Sequence, residues 1–289
     1  MPSSPLHAPV LGWYAEHARD LPWRLPGTSA WAVLVSEVML QQTPVSRVEP
    51  VYRAWLHRWP TPAALAAEPP GEAVRAWGRL GYPRRALRLH AAATEVVARY
   101  GGELPTSYDA LRTLPGVGEY TAAAVASFAH GARHAVLDTN VRRVLARALG
   151  GAEQPAPALT AAERSRAESV VPDDPAAAAR WAVAVMELGA LVCTARAPRC
   201  DRCPVAAQCA WRQSGSPAYD GPVRRTQSFA GTDRQVRGLL MAVLRDRPGP
   251  AGTEELAAVW ADPVQRDRAL AGLLADGLLV ADGGSYRLP

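Results

Sequence analysis

The sequence predicts a mostly α-helical protein with a small mixed unit at its C-terminus. Three observations carry that expectation. Apolar residues recur at three- and four-residue spacing through most of the first 212 residues. The alternating apolar and polar runs of half-buried strands are missing from that stretch. After a segment at 214–232 rich in Ser, Gly, Pro and Arg, three short helical patterns are followed by two strand-like runs.

Taken in order, helical spacing predicts helices over Ala30–Leu40, Ser46–Trp59, Arg85–Tyr100, Tyr108–Leu114, Thr121–Phe128 and Asn140–Leu149. Pro60, Pro62, Pro69 and Pro70 punctuate them, and Gly101-Gly102 and Gly150-Gly151 stand where two of them should stop. The tail reads as helices at Arg234–Arg245, Glu254–Trp260 and Gln265–Ala275. A hairpin follows, with Leu278–Ala281 and Ser285–Leu288 joined at Asp282-Gly283-Gly284. Three helices and a hairpin suggest a winged helix, with a generic small helical tail as the alternative. The expected division is a domain at 1–213, a linker at 214–232 and a winged-helix-like domain at 233–289.

The 289 residues are 48% hydrophobic, enough for a buried core. The first ten residues lack a basic region followed by an apolar run, so no secretion signal is evident, and no apolar stretch reaches membrane-spanning length. A cytoplasmic protein is expected. The net charge of +5 is compatible with nucleic acid. All 32 basic residues are arginine, a bias a GC-rich genome would explain. Its chemical consequence is that no lysine amine exists to form a Schiff base.

The chain has four cysteines, all within 17 residues: Cys193, Cys200, Cys203 and Cys209, spaced C-x6-C-x2-C-x5-C. Four thiolates on one loop suit a structural zinc or an iron–sulfur cluster. Two well-separated C-x2-C pairs, the zinc-ribbon pattern, are missing, and nothing favours disulfides in a chain this long. Upstream, Leu114-Pro115-Gly116-Val117-Gly118 joins two predicted helices. Glycines there free backbone N–H groups at a helix N-terminus to meet a phosphate oxygen, although an ordinary helix–helix turn would read the same way. Asp138 follows an apolar run and precedes a basic helix, as an acid or as a plain N-cap.

Hairpin, acid and four-cysteine loop in this order resemble the helix–hairpin–helix DNA glycosylases, and within them the MutY-type adenine glycosylases. The resemblance spans roughly residues 10–210. It is strongest at Ser36-Glu37-Val38-Met39-Leu40-Gln41-Gln42-Thr43, and extends to Leu21-Pro22-Trp23-Arg24, Gly78-Arg79-Leu80-Gly81-Tyr82, Glu119-Tyr120-Thr121-Ala122 and Met186-Glu187-Leu188-Gly189-Ala190. It implies a two-lobed helical fold, with a six-helix lobe at about 25–135 and a cluster lobe from the N-terminus plus 136–213. It also implies a [4Fe–4S] cluster on the four cysteines. The implied partner is double-stranded DNA carrying an adenine mismatch, met by a monomer at the nucleoid.

Breaking an N-glycosidic bond passes through an oxocarbenium-like state, which calls for an acid on the leaving base and a carboxylate near the developing cation. Glu37 sits in an apolar helix, where desolvation would favour the protonated form. The resemblance makes Glu37 the acid, Asp138 the ionised stabiliser and Tyr120 their neighbour. The alternatives are an exposed helix glutamate, a cap and a packing aromatic. Bifunctional relatives carry lysine where Tyr120 stands, so a monofunctional enzyme without lysine-dependent strand cleavage is expected. By resemblance Arg24, Trp23 and Glu187 line an adenine pocket, Tyr82 wedges into the duplex, and Gln42, Thr43 and Leu80 contact the opposite base. Gly116 and Gly118 hold a phosphate. Arg84, Arg85, Arg88, Arg142 and Arg143 are further candidates for phosphate contact.

Two departures from the family pattern stand out. Ala182, Val183 and Ala184 replace an Asn-Gln-Ala element, and Thr139 follows Asp138 where glycine is common. The tail is too short for the Nudix-like domain that helps many relatives recognise 8-oxoguanine, so preference for that partner base is less defined than adenine removal. A thymine–guanine mismatch glycosylase would share the hairpin, Tyr120, Asp138 and the cysteines. A non-enzymatic winged-helix iron–sulfur regulator would leave Glu37 and Asp138 without a role.

Overall fold

The structure, a computed structural model, describes residues 4–222 and 229–289. The centre of the expected linker, 223–228, lies outside the described residues. In chain order the helices are α1 (His7–His17), α2 (Ala30–Leu40), α3 (Val45–Arg58), α4 (Pro62–Ala66), α5 (Pro70–Trp77), α6 (Arg84–Tyr100), α7 (Tyr108–Arg112), α8 (Glu119–His130), α9 (Thr139–Ala148), α10 (Ala161–Glu168), α11 (Pro175–Leu191), α12 (Ala210–Gln213) and α13 (Asp233–Arg245). A short strand β1 (Ala251–Gly252) precedes α14 (Thr253–Ala257) and α15 (Pro263–Ala275), and β2 (Val280–Asp282) and β3 (Ser285–Arg287) close the chain.

Two of the punctuating prolines act as starts rather than breaks. Pro62 and Pro70 occupy the first helical positions of α4 and α5, where the missing N–H has no intrahelical partner to lose. Gly101 ends α6 in the left-handed region at φ 63°, a conformation open to glycine at little cost.

The chain folds as two compact units. The first comprises Met1–Leu34, Thr106–Thr113 and Val117–Pro222. Its core joins α1, α9 and α11 through Val10, Val144, Leu145, Trp181, Val185 and Leu188. A smaller cluster of Ala123, Ala124, Val136 and Ala182 is partly covered by Tyr108, Tyr120, Phe128 and Met186. The alanines of α8 thus serve close helix packing.

The second unit comprises Val35–Pro105, Leu114–Gly116 and Val223–Pro289. Its core is rich in tryptophan: Trp55 meets Trp59 edge-on at 4.7 Å and Trp77 at 5.8 Å. Edge-to-face contacts stabilise such rings beyond what their buried area contributes. The tail has the order helix, strand, helix, helix, strand, strand, with an antiparallel sheet ordered β1-β3-β2. This is winged-helix topology. β1 is the part that sequence pattern misses, because two residues are too few to show alternation. The tail groups with residues 35–105, not with the cysteine loop.

Candidate active site

Ser29 opens α2 by accepting from the Ala32 N–H at 3.2 Å, and Ser36 and Glu37, in the part of α2 that belongs to the second unit, are both buried. Glu37 is 5% exposed, which removes the exposed-helix alternative. The C-terminal end of α2 is gathered by one side chain. The buried Arg85 guanidinium donates to the carbonyls of Val38 at 2.9 Å, Met39 at 3.2 Å, Gln41 at 2.6 Å and Gly81 at 3.0 Å, and to Thr43 Oγ1 at 3.1 Å. It also lies over the Trp77 and Tyr82 rings at 5.1 and 5.6 Å. Burial holds its pKa below the ordinary arginine value, with Tyr82 acting in the opposite sense.

Thr43 is itself one of the expected base contacts, and the tied carbonyls of Gln41 and Gly81 immediately precede Gln42 and Tyr82. Gln42 is exposed with φ 56°, and Tyr82 is 54% exposed with φ 48°. Such left-handed backbone costs a non-glycine residue energy and persists where surrounding bonds enforce it. Thr43 and Leu80 lie beneath them, buried, with Thr43 Oγ1 donating to the Leu80 carbonyl at 3.3 Å. Arg85 is therefore not a phosphate contact. Its charge is spent on carbonyls, which sequence position alone does not reveal. In the hairpin, Gly116 has φ 78° and a Cβ there would stand 2.7 Å from Arg88 Cβ, so side-chain-free backbone is required twice over.

Within the first unit, Asp138 is the N-cap of α9. Its Oδ1 accepts from the Val141 N–H at 2.6 Å and its Oδ2 from Asn140 Nδ2 at 2.8 Å. Burial nevertheless pushes its carboxyl above the ordinary range, against those bonds and the Arg143 charge. Capping and an unusual carboxyl coexist here. Tyr120, on α8, is partly buried against the cluster containing Val136, two residues before Asp138. Gly118 is the exposed N-cap of α8.

Glu187 on α11 is fully buried and held by two arginines. Arg19 donates from its Nε at 2.6 Å, its Nη2 at 2.7 Å and its backbone N–H at 3.1 Å, and Arg24 lies 2.9 Å away. Burial pushes the carboxyl up, but the Arg19 bonds and the Arg24 and Arg19 charges win and hold it below the usual range. Trp23 is buried one residue before Arg24. Arg19 escapes sequence reasoning because it precedes the recognisable Leu21–Arg24 element. Only its three-dimensional fork onto Glu187 exposes it.

The cysteine loop closes the first unit. All four thiols are free. Burial raises the Cys203 pKa to about 11, the Val205 N–H opposes, and Cys193, Cys209 and Cys200 each push it further up. Four thiols on one short loop are the donor set that an iron–sulfur cluster takes. Arg147, 1% exposed, donates to Cys193 Sγ at 3.4 Å and Thr194 O at 2.8 Å, while its own carbonyl accepts from Cys209 Sγ at 3.4 Å. Arg143 donates to the Cys193 carbonyl at 2.7 Å and to Asn140 Oδ1 at 2.8 Å. Asn140 thus links Arg143 to Asp138. Like Arg85, Arg143 is buried and is no phosphate contact; Arg142 pairs with Glu163 at 2.9 Å.

These elements define a helix–hairpin–helix DNA glycosylase. The family described as HhH-GPD superfamily base excision DNA repair protein matches residues 35–168, and the iron-sulfur binding domain of endonuclease III matches residues 193–209. The cysteines are accordingly the site of a [4Fe–4S] cluster. Among relatives, the adenine DNA glycosylase of Mycolicibacterium smegmatis is 55% identical over 95% of this chain and 93% of its own length. That of Mycobacterium tuberculosis is 51% identical over 97% and 92%. The human enzyme is 42% identical over 71% of this chain and 39% of its own length. A thermostable thymine-DNA glycosylase structure is similar at TM-score 0.66, with 27% identity, covering 72% of this chain and 95% of that one. An endonuclease III–DNA complex shares the fold at TM-score 0.60 and 24% identity, covering 72% and 96%. The chain belongs to the adenine DNA glycosylase family. Among the described residues no helix is long and apolar enough to cross a membrane.

Proposed function

We propose that this protein hydrolyses the N-glycosidic bond of adenine mispaired with 8-oxoguanine or guanine in double-stranded DNA. The observation that carries the reading is Glu37, a glutamate buried on α2 inside the Ser36–Thr43 element. A carboxyl is seldom placed there without a task. Glu37 donates its proton to adenine N7 as the C1′–N9 bond breaks and the bonding pair leaves with the base. Asp138, ionised, stabilises the sugar cation. Water then adds at C1′ and returns a proton to Glu37, leaving free adenine and an abasic site.

Tyr120 lies beside the reacting sugar and offers no amine, so the strand stays intact. Arg24, Trp23 and Glu187, joined by Arg19, receive the extruded base. Tyr82 fills the gap in the stack, with Gln42, Thr43 and Leu80 at the opposite base and Gly116 and Gly118 at a phosphate. The cluster, when bound on Cys193, Cys200, Cys203 and Cys209, supplies four metal–sulfur bonds that fix the loop. Residues 1–213 are the catalytic part, joined through 214–232 to the winged-helix-like 233–289. The protein acts as a monomer on nucleoid DNA.

Base release from A:8-oxoguanine, A:G and T:G duplexes, with Glu37→Gln beside the parent, tests the reading. Adenine release lost in Glu37→Gln is expected. Thymine release, or borohydride-trapped DNA linked to a side chain, would overturn it.

A further inference from the structure

Residues 229–289 have the order of a winged helix but not the surface of a DNA reader. From Asp233 to Pro289 seven arginines stand against eight acids, in a chain of net charge +5. The third helix of such a unit is the one that enters a groove. Here that helix is α15, whose Arg268 pairs with Asp233 at 2.7 Å and whose Arg266 donates to the Ala257 and Trp260 carbonyls at 3.0 and 3.3 Å. At the hairpin, Arg287 lies 4.0 Å from Asp282. Arg237 and Arg247 are paired with Asp276 and Glu255. Cations that displace counterions from DNA must be free to meet phosphates. Five of the seven, all but Arg234 and Arg245, are engaged within their own unit in this way.

What the unit does engage is α5 and α6. Arg75 of α5 donates to the carbonyls of Leu244 at 3.2 Å, Arg245 at 2.5 Å and Arg247 at 2.6 Å. These stand at the C-terminal end of α13, where carbonyls lack helical partners and the dipole is negative. The Gly71 N–H donates to the Pro289 carbonyl at 2.6 Å, and a Cβ on Gly71 would stand 2.3 Å from that oxygen. Asp276, just past α15, pairs with Arg84, the first residue of α6, at 3.1 Å. Helix α5 ends at Trp77 and α6 begins at Arg84. Between them hangs the loop that carries Tyr82, with Gly78, Gly81 and Tyr82 all at positive φ.

We propose that the winged-helix-like unit acts in base excision as a brace on this loop, clamping the helix on either side, and that Arg75, Arg84 and Asp276 are positioning residues for Tyr82. The inference rests on the reading of Tyr82 as the residue that enters the duplex. A wedge on a strained, exposed loop retreats unless both of its stems are fixed. Arg75 fixes one stem and the Arg84–Asp276 pair the other.

The test uses the full-length protein, with single-turnover adenine release from A:8-oxoguanine and A:G duplexes and salt-dependent binding to an undamaged duplex. Arg75→Met is expected to slow release about tenfold, a size usual for residues sharing one network. Asp276→Asn, which loses two partly exposed pairs, to Arg84 and to Arg237, is expected to slow it about threefold. Removing this acid cannot weaken attraction to DNA, so slower release with binding unchanged or tighter is the mark of a positioning role. Arg268→Gln and Arg287→Gln are expected to change neither rate nor salt dependence. Should Arg75→Met fail to fold, Asp276→Asn and Arg84→Ala carry the test. Unchanged release in Asp276→Asn and Arg84→Ala would overturn the brace, as would weaker, less salt-dependent binding in Arg268→Gln. Tyr82→Ala separates the two readings. If it leaves release intact, the wedge itself falls; if it slows release while Asp276→Asn does not, the brace alone falls.

Discussion

Replacing Arg85 by methionine removes the charge while keeping much of the stem. Five acceptors then lose their donor: the carbonyls of Val38, Met39, Gln41 and Gly81, and Thr43 Oγ1. Taken singly, charge-assisted bonds contribute about 1.5–3 kcal/mol each. They do not add, because the vacated site admits water and the helix end relaxes. Breaking a buried network by removing one partner costs roughly 3–5 kcal/mol. For 289 residues the unfolding entropy is about 0.6 kcal/mol per degree, so the melting temperature should fall by roughly 5–8 °C. A parent in the middle of the usual ~5–15 kcal/mol range of domain stability leaves the variant folded at 25 °C. Arg85→Lys should recover less than half of the loss, since one ammonium cannot span both the α2 carbonyls and Gly81. Calorimetry with adenine-release assays on the same samples measures both effects. A melting temperature within a degree of the parent, or normal release by a folded Arg85→Met protein, would refute the reasoning.

Other consequences are as direct. Burial raises the Asp138 carboxyl above its ordinary value, so over the interval from the unfolded to the folded pKa the native state holds more protons and stability falls as pH rises. Asp138→Asn keeps a good N-cap and should abolish adenine release while melting higher than the parent at pH 7, an advantage that shrinks in melts taken toward pH 4. Glu187→Ala leaves Arg19 and Arg24 without their buried partner; thermal melts should show a loss of roughly 3–5 kcal/mol and base-release assays little activity. Cys203→Ser should cost iron content and visible absorbance, both measured on the purified protein, and proteolysis should then cut first within 193–209. Gly116→Ala meets both a left-handed backbone and the Arg88 side chain; DNA affinity measured by fluorescence anisotropy should drop about tenfold or more.

Much of this was legible in the sequence. Residues such as Val48, Leu89 and Val144 repeat at helical spacing because one face of each helix is buried, and the structure places each of them in the core. The cysteine loop and the Ser36–Thr43 element are local, so their order alone points to the family. What escaped was non-local. β1 is two residues long and exists because β3 pairs with it at Ala251–Tyr286. Arg19 gains meaning only from Glu187, which stands 168 residues away in the chain. Gln42 and Tyr82 carry no glycine signal for their positive φ, because Arg85, not local preference, supports that backbone.

The arginines make the same point about charge. A net charge of +5 and basic helices invite a count of phosphate contacts, yet several of these cations never face solvent. Arg85 and Arg143 are 7% exposed and Arg147 is 1% exposed, and each binds backbone carbonyls from segments far apart in sequence. Arg75 does so for the end of α13. Lysine could not substitute, since its donors radiate from one point whereas a planar fork reaches several carbonyls at once. The absence of lysine therefore has two effects of different kind. It removes an amine from the chemistry, and it leaves the scaffold with a cation suited to joining chain segments. Each arginine used in that way is one fewer for DNA, so salt-dependent binding should report fewer phosphate contacts than the basic helices suggest.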